Sequence, residues 1–121
     1  MSNAVTNPGS AVALVDSPLA KDLILEGSPS PRIWVNAQSP DKKVTHGVWD
    51  CTAGRFNWEF TCDEFVMILD GEVTITPENG DAFTLRTGDL CYFPAGLKTL
   101  WQVDRYVKKT FTLRTAEPLE L

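Results

Sequence analysis

The sequence predicts an all-β domain, a single small barrel preceded by an irregular N-terminal arm. From Ile33 onward the chain is a succession of short runs rich in Val, Ile, Thr, Phe and Trp, parted by Gly, Pro, Asn and Asp, which is the texture of strands and turns. No helical periodicity of useful length and no internal repeat follows residue 32. At 121 residues the chain holds one hydrophobic core and is too short for two ordinary domains. Residues 1–31 are therefore read as the arm and residues 32–121 as the barrel domain.

The arm is rich in Ser, Pro, Asn and Ala, and Pro8, Pro18, Pro29 and Pro31 interrupt any regular element. It is read as mobile or strap-like, with a disordered tail over residues 1–15 as the alternative. Residues 20–25 have room for one helical turn, which needs packing to persist. The apolar stretch over residues 11–20 is about half a membrane span. It has no Lys or Arg before it and contains Asp16 and Pro18, so it is read as neither signal peptide nor anchor.

Strand phases follow from alternation. Phe56, Trp58 and Phe60 share one face, and Arg55, Asn57 and Glu59 the other. Asp70-Gly71 suits a two-residue turn, placing Ile68 opposite Val73 and Val66 opposite Ile75. A three-residue loop of Glu78, Asn79 and Gly80, with the glycine left-handed, sets Ile75 opposite Phe83 and Val73 opposite Leu85. Phe93-Pro94-Ala95-Gly96 reads as a type I turn between paired strands. In the last strand Val107, Lys109, Phe111 and Leu113 share a face. Two charged residues thus land on apolar faces: Glu64, in phase with Val66 and Ile68, and Lys109.

A net charge of −5 disfavours nucleic acid and anionic membranes as partners, since both repel an acidic protein. Cys51, Cys62 and Cys91 are odd in number and match no metal-finger spacing, which argues against a disulfide framework and suits a reducing cytoplasm.

Glu64 and Gly71 stand seven positions apart, and Gly88, Pro94 and Gly96 follow the pattern G-x5-P-x-G. In these positions the chain resembles the cupin superfamily, which implies an RmlC-like jelly-roll barrel. The usual histidine ligand slots of that family fall on Trp58, Phe60 and Thr99. A stable site for zinc, iron or manganese needs three or more N, O or S donors, so no metal and no other cofactor is expected. Gly47, Trp49, Cys51, Gly54, Phe56, Trp58, Asp63, Glu64, Leu69, Gly71, Gly88, Asp89, Phe93, Pro94, Gly96, Trp101, Val103 and Lys109 further resemble ureidoglycine aminohydrolase-like cupin domains over about residues 30 to 114.

Glu64 is the candidate acid–base group, or the anchor of a ligand, with Lys109 as its cationic partner; the plainer alternative has Lys109 extending to the barrel rim. The resemblance implies that Trp58, Phe60, Thr99 and Trp101 line or adjoin the cavity, whereas composition alone makes the aromatic ones core residues. Tyr92 is a further candidate for the same cavity. His46, the only histidine, is read as structural or exposed, and Cys62 as a thiol at the pocket mouth.

Three functions follow. The first is a metal-independent binder of a small polar molecule such as an amine, a ureido compound or a sugar. The second is a small hydrolase, lyase or isomerase, ureidoglycine aminohydrolase-like, using Glu64 as general acid or base or holding a divalent metal through an unusual ligand set. The third is a structural partner of another enzyme. Phe65, Met67 and Leu69 form an apolar row on the face opposite Glu64, from which a homodimer is expected.

Overall fold

A computed structural model describes residues 4–9 and 12–121. Its strands are β1 (Val15–Asp16), β2 (Ile24–Gly27), β3 (Arg32–Gln38), β4 (Val44–Glu59), β5 (Asp63–Pro77), β6 (Phe83–Arg86), β7 (Leu90–Phe93) and β8 (Lys98–Arg114). One 3-10 turn, Lys21–Leu23, falls where the sequence left room for a helical turn. Every strand pair is antiparallel. Among the described residues no helix is long and apolar enough to cross a membrane.

The eight strands belong to one sheet, and three long strands fold it over on itself. β4 and β8 pair from Val44–Arg114 to Glu59–Lys98, broken once between Thr52 and Gly54. β5 breaks register with β8 between Gly71 and Thr74. On one side of these breaks lies a layer of β1, β3, the first part of β4, the second part of β8, the first part of β5, and β7. On the other lies a layer of β2, the remaining parts of β4, β8 and β5, and β6. The inner faces meet around Trp101, whose ring centre lies 5.7 Å from that of Trp49 and 6.0 Å from that of Phe93. This is the all-β barrel expected, of jelly-roll kind.

The core is built by alternation. Phe56, Phe60, Val66, Ile68, Val73, Ile75, Val107 and Phe111 are all buried, and side chains of this size each stabilise by about 1.5–3 kcal/mol on burial. Glu64 and Lys109 are buried with them, as their strand phases required.

Three turn assignments need correction. Asp70-Gly71 does not close a hairpin: β5 runs through it, and Ile68 pairs with Lys109, not Val73. Gly71 uses its positive φ of 76° to bend the strand where its α-carbon presses on β8; a Cβ there would lie 2.0 Å from the Tyr106 carbonyl oxygen. The β5–β6 register is as read, Ile75 with Phe83 and Val73 with Leu85. The connection, however, turns over Pro77 to Gly80, where Gly80 donates to the Pro77 carbonyl, and Gly80 is not among the positive-φ residues.

The third turn closes one residue later than expected, Leu97 N–H to Pro94 O at 3.2 Å, with Gly96 at its third position and a φ of 90°, as a type II turn requires. The strands flanking it do not pair with each other: β7 pairs with β5, and β8 with β4 and β5. Phe60 closes the gap, donating to Leu97 O and accepting from Gly96 N–H.

Of the arm, β1 lies along β3 and β2 along β4, and Ser17 N–H bonds Pro31 O at 2.9 Å. Its described part from β1 onward is thus tied to the barrel; the expectation for residues 1–3, 10 and 11 lies outside the described residues.

Candidate functional site

Across the inner face of the first layer the ladders align side chains in rows. One row runs Ile33, Trp49, Lys109, Ile68 across β3, β4, β8 and β5. Another runs Thr45, Leu113, Glu64, Phe93. The row between them carries Gly47, Phe111 and Val66. Lys109 and Glu64 therefore stand two rows apart, and their long side chains close the gap: Lys109 Nζ donates to Glu64 Oε2 at 2.6 Å.

Above the pair lies a cavity of about 200 Å³. Its walls are the aromatic rings of Trp49, Phe56, Trp101 and Phe111, with Ile33 and Leu113 between them. Ser17, Pro18, Leu19 and Pro31 of the arm close one side, and Trp58, 40% exposed, stands where the cavity meets solvent.

Lys109 Nζ lies 4.6 Å from the Trp49 ring centre and 4.9 Å from that of Trp101, distances at which the ring faces attract a cation. Glu64 Oε1 has no hydrogen-bond partner among the described residues. No buried side-chain oxygen or nitrogen among them lacks a partner, so Oε1 must be an accessible atom, and the cavity is what Glu64 lines. The site thus offers a carboxylate acceptor beside an ammonium donor, with no net charge, inside apolar walls.

Of the residues expected to contact a ligand, Trp58, Glu64, Trp101 and Lys109 line the cavity, and Phe60, Tyr92 and Thr99 do not. Phe60 is core: its ring stacks on Phe93 with centres 4.3 Å apart. Thr99 accepts from Trp101 Nε1 at 3.0 Å and donates to Trp58 O at 2.8 Å, which holds the Trp101 ring in place and commits the one hydroxyl proton. Tyr92 corrects the reading most clearly. Pairing of β7 with β5 sets it beside Phe65 on the outer face, stacked at 4.8 Å, with its hydroxyl donating to Asp63 Oδ1 at 3.0 Å.

His46 is exposed, with Nδ1 3.4 Å from the Asn36 side-chain amide. Cys62 is half-buried, and burial, followed by the charges of Glu64 and Asp63, pushes its thiol up, away from a reactive thiolate.

The residues do not fit a cupin-type metal. Trp58 and Phe60 offer no donor, the Thr99 hydroxyl is engaged, and a cation at Glu64 would sit against the Lys109 ammonium. Among the described residues no group of three or more His, Cys, Asp and Glu is placed to hold a metal ion.

The sequence reading missed Trp49, Phe56, Phe111 and Leu113 as cavity walls. Phe56 shares an inward phase with Trp58 and Phe60, and Phe111 and Leu113 share one with Lys109; Trp49 is out of phase with Trp58, and only the register break between Thr52 and Gly54 turns both inward. The arm residues carried no such signal.

A family model described as the EutQ-like cupin domain matches residues 38–111. A Pseudomonas syringae pv. tomato protein of unknown function, of the DUF861 family, has the same fold: TM-score 0.77 and 24% identity over 84% of this chain and 44% of that one. The Clostridium difficile EutQ protein gives 0.65 and 21% over 75% and 66%. A DUF861 family protein from Thermotoga maritima gives 0.54 and 30% over 67% and 98%. The chain therefore spans less than half of the Pseudomonas protein and 66% of EutQ. No curated protein matches the sequence.

Proposed function

The chain belongs to the EutQ-like cupin family, and on that premise we propose that its barrel binds one small organic molecule in the aromatic cavity without a transition metal. Glu64 and Lys109 are the polar anchors, and Trp49, Trp58 and Trp101 the walls. The observation that carries this reading is the joined Glu64–Lys109 pair, with one carboxylate oxygen left unpartnered, lining a 200 Å³ apolar cavity. Concave, mostly apolar sites with a few convergent polar groups are what small-molecule pockets look like. The motif likeness to ureidoglycine aminohydrolase-like domains supports placing the site here. Free thiols at Cys51, Cys62 and Cys91 support a reducing, cytoplasmic setting.

A thermal-shift screen of small molecules tests the proposal, because a ligand present at about 100 times its Kd stabilises the folded state by about 2.7 kcal/mol. Hits are expected to lose their effect when Leu113→Trp fills the cavity. Hits that stabilise this variant as well as the wild type would place binding elsewhere. Metal content near one per chain in protein purified without chelator, lost on Glu64→Gln, would overturn the metal-free reading.

A further inference from the structure

We infer that the ligand is an electrically neutral, planar ring bearing a carboxamide or lactam, its carbonyl accepting from Lys109 Nζ and its N–H donating to Glu64 Oε1. This rests on the reading of the cavity as a ligand site and goes on to its chemistry.

Charge decides first. The anchors are one cation and one anion already joined at 2.6 Å, so the cavity offers a ligand charge no net attraction. A ligand ammonium drawn to Glu64 meets Lys109 beside it, and a ligand carboxylate drawn to Lys109 meets Glu64. Either would also give up its hydration to enter apolar walls. A neutral group avoids both penalties.

Hydrogen-bonding capacity decides next. An ammonium has three donors, of which Glu64 takes one, and the Glu64 carboxylate keeps free acceptor capacity at Oε1. The complement is an acceptor and a donor side by side on one rigid group, which is what an amide presents. A sugar would bring several hydroxyls against Trp49, Phe56, Trp101 and Phe111, where they find no partner.

Size and shape decide the remainder. A dry cavity of about 150 Å³ holds benzene. At about 200 Å³ this one has room for an aromatic ring and one small substituent. Trp49 and Trp101 meet at 73° while Phe56 lies within 20° of the Trp101 plane, so a flat ring finds both a face and an edge to pack on.

Titration calorimetry on the full chain with benzamide, benzoate, benzylamine and toluene tests the inference, since the four share a ring and differ in the group it carries. In parallel, indole N–H resonances, assigned through single Trp→Phe variants, report whether a compound reaches Trp49 and Trp101. Benzamide is expected to bind at least tenfold tighter than the other three, with both indole signals shifting. Lys109→Met is expected to erase its margin over toluene. Tighter binding of benzoate or benzylamine, or toluene binding as well as benzamide, with the same indoles shifting, overturns the amide inference and leaves the cavity as a ligand site. Failure of these probes and of every hit from the wider screen to shift Trp49 or Trp101 overturns the cavity reading itself, and the inference with it.

Discussion

The Lys109 ammonium and the Glu64 carboxylate form a buried ion pair whose cation also lies within 5 Å of the ring centres of Trp49 and Trp101. The aromatic faces support the lysine where water would otherwise be needed, while one carboxylate oxygen stays unpartnered. Pairs of this kind need not stabilise a fold more than apolar residues would, but removing one partner strands the other.

Glu64→Ala and Lys109→Ala are therefore each expected to lower stability by about 3–5 kcal/mol, and the double variant to lose less than the sum. Urea denaturation of all four proteins measures this. Losses that add within about 0.5 kcal/mol would show that the two residues do not depend on each other.

Gly71 and Gly88 both have positive φ, at 76° and 92°, but only Gly71 is crowded: nothing lies within 4 Å of a Cβ built on Gly88. Gly88→Ala is expected to cost about 1–2 kcal/mol from backbone conformation alone. Gly71→Ala adds a collision with the β8 backbone and is expected to cost well beyond that or to prevent folding. Equal chemical-denaturation midpoints for the two variants would contradict the close approach at the bend.

Asp50 is buried on the outer face, accepting from Arg32 Nε at 3.0 Å and from the Tyr106 hydroxyl at 2.7 Å. Burial alone would raise its pKa; the hydrogen bonds of Arg32 and Tyr106, with the Arg32 charge, outweigh that and hold it below the ordinary aspartate value. The Tyr106 phenol is pushed up to about 12 by burial and then by Asp50, so it remains a donor throughout. A carboxyl depressed on folding stabilises above its unfolded pKa of about 3.9, and that contribution is lost as pH falls through the folded value. The stability gap between wild type and Asp50→Asn should thus be widest near neutrality and narrow below about pH 4. A gap that stays constant from neutral to strongly acidic pH would refute this.

The Cys51 thiol is pushed up to about 12, by burial and then by the Asp50 charge. At pH 8 the thiol therefore stays protonated. Iodoacetamide should leave Cys51 unmodified in the native protein and label all three cysteines in urea, as mass spectrometry would show. Native labelling of Cys51 at the rate of Cys62 would contradict its burial.

On the outer face Phe65 and Tyr92 stack, and Leu90, 76% exposed, pairs with Met67 beside them. We propose that a second copy of the chain covers this row. Light scattering is expected to report a dimer, and Phe65→Glu with Leu90→Glu a monomer. A monomeric wild type, both in full length and lacking residues 1–28, would refute the assignment.

The ion pair was legible because Glu64 and Lys109 break apolar faces whose period of two is otherwise regular. The bend at Gly71 was not. Asp-Gly is a strong local signal for a two-residue hairpin, and only the distant Tyr106 carbonyl shows why the glycine serves a different purpose. Tyr92 was misplaced for a related reason: its phase is set by pairing with Phe65, and nothing within Leu90–Phe93 reveals which strand lies alongside. Phe60 and Thr99 carried the positions of a metal motif without its chemistry, and the space was taken by a Phe93 stack and a Trp101 hydrogen bond. The cavity wall made by Ser17, Pro18 and Leu19 depends on where the arm crosses the barrel, which its composition does not encode.

The three strands that pass from one layer into the other also bear on how the chain folds. Val44 and Asp63 must find Arg114 from its two sides to centre the first layer, as Glu59 must find Lys98 and Pro77 must find Thr99 to centre the second. Such distant pairings require loop closure before any contact compensates for it, which places proteins of this topology among the slower folders. Neither layer owns a complete strand set, so half a barrel has no stable form. Refolding is expected to be a single cooperative event, with no kinetic intermediate in which one layer is built and the other is not.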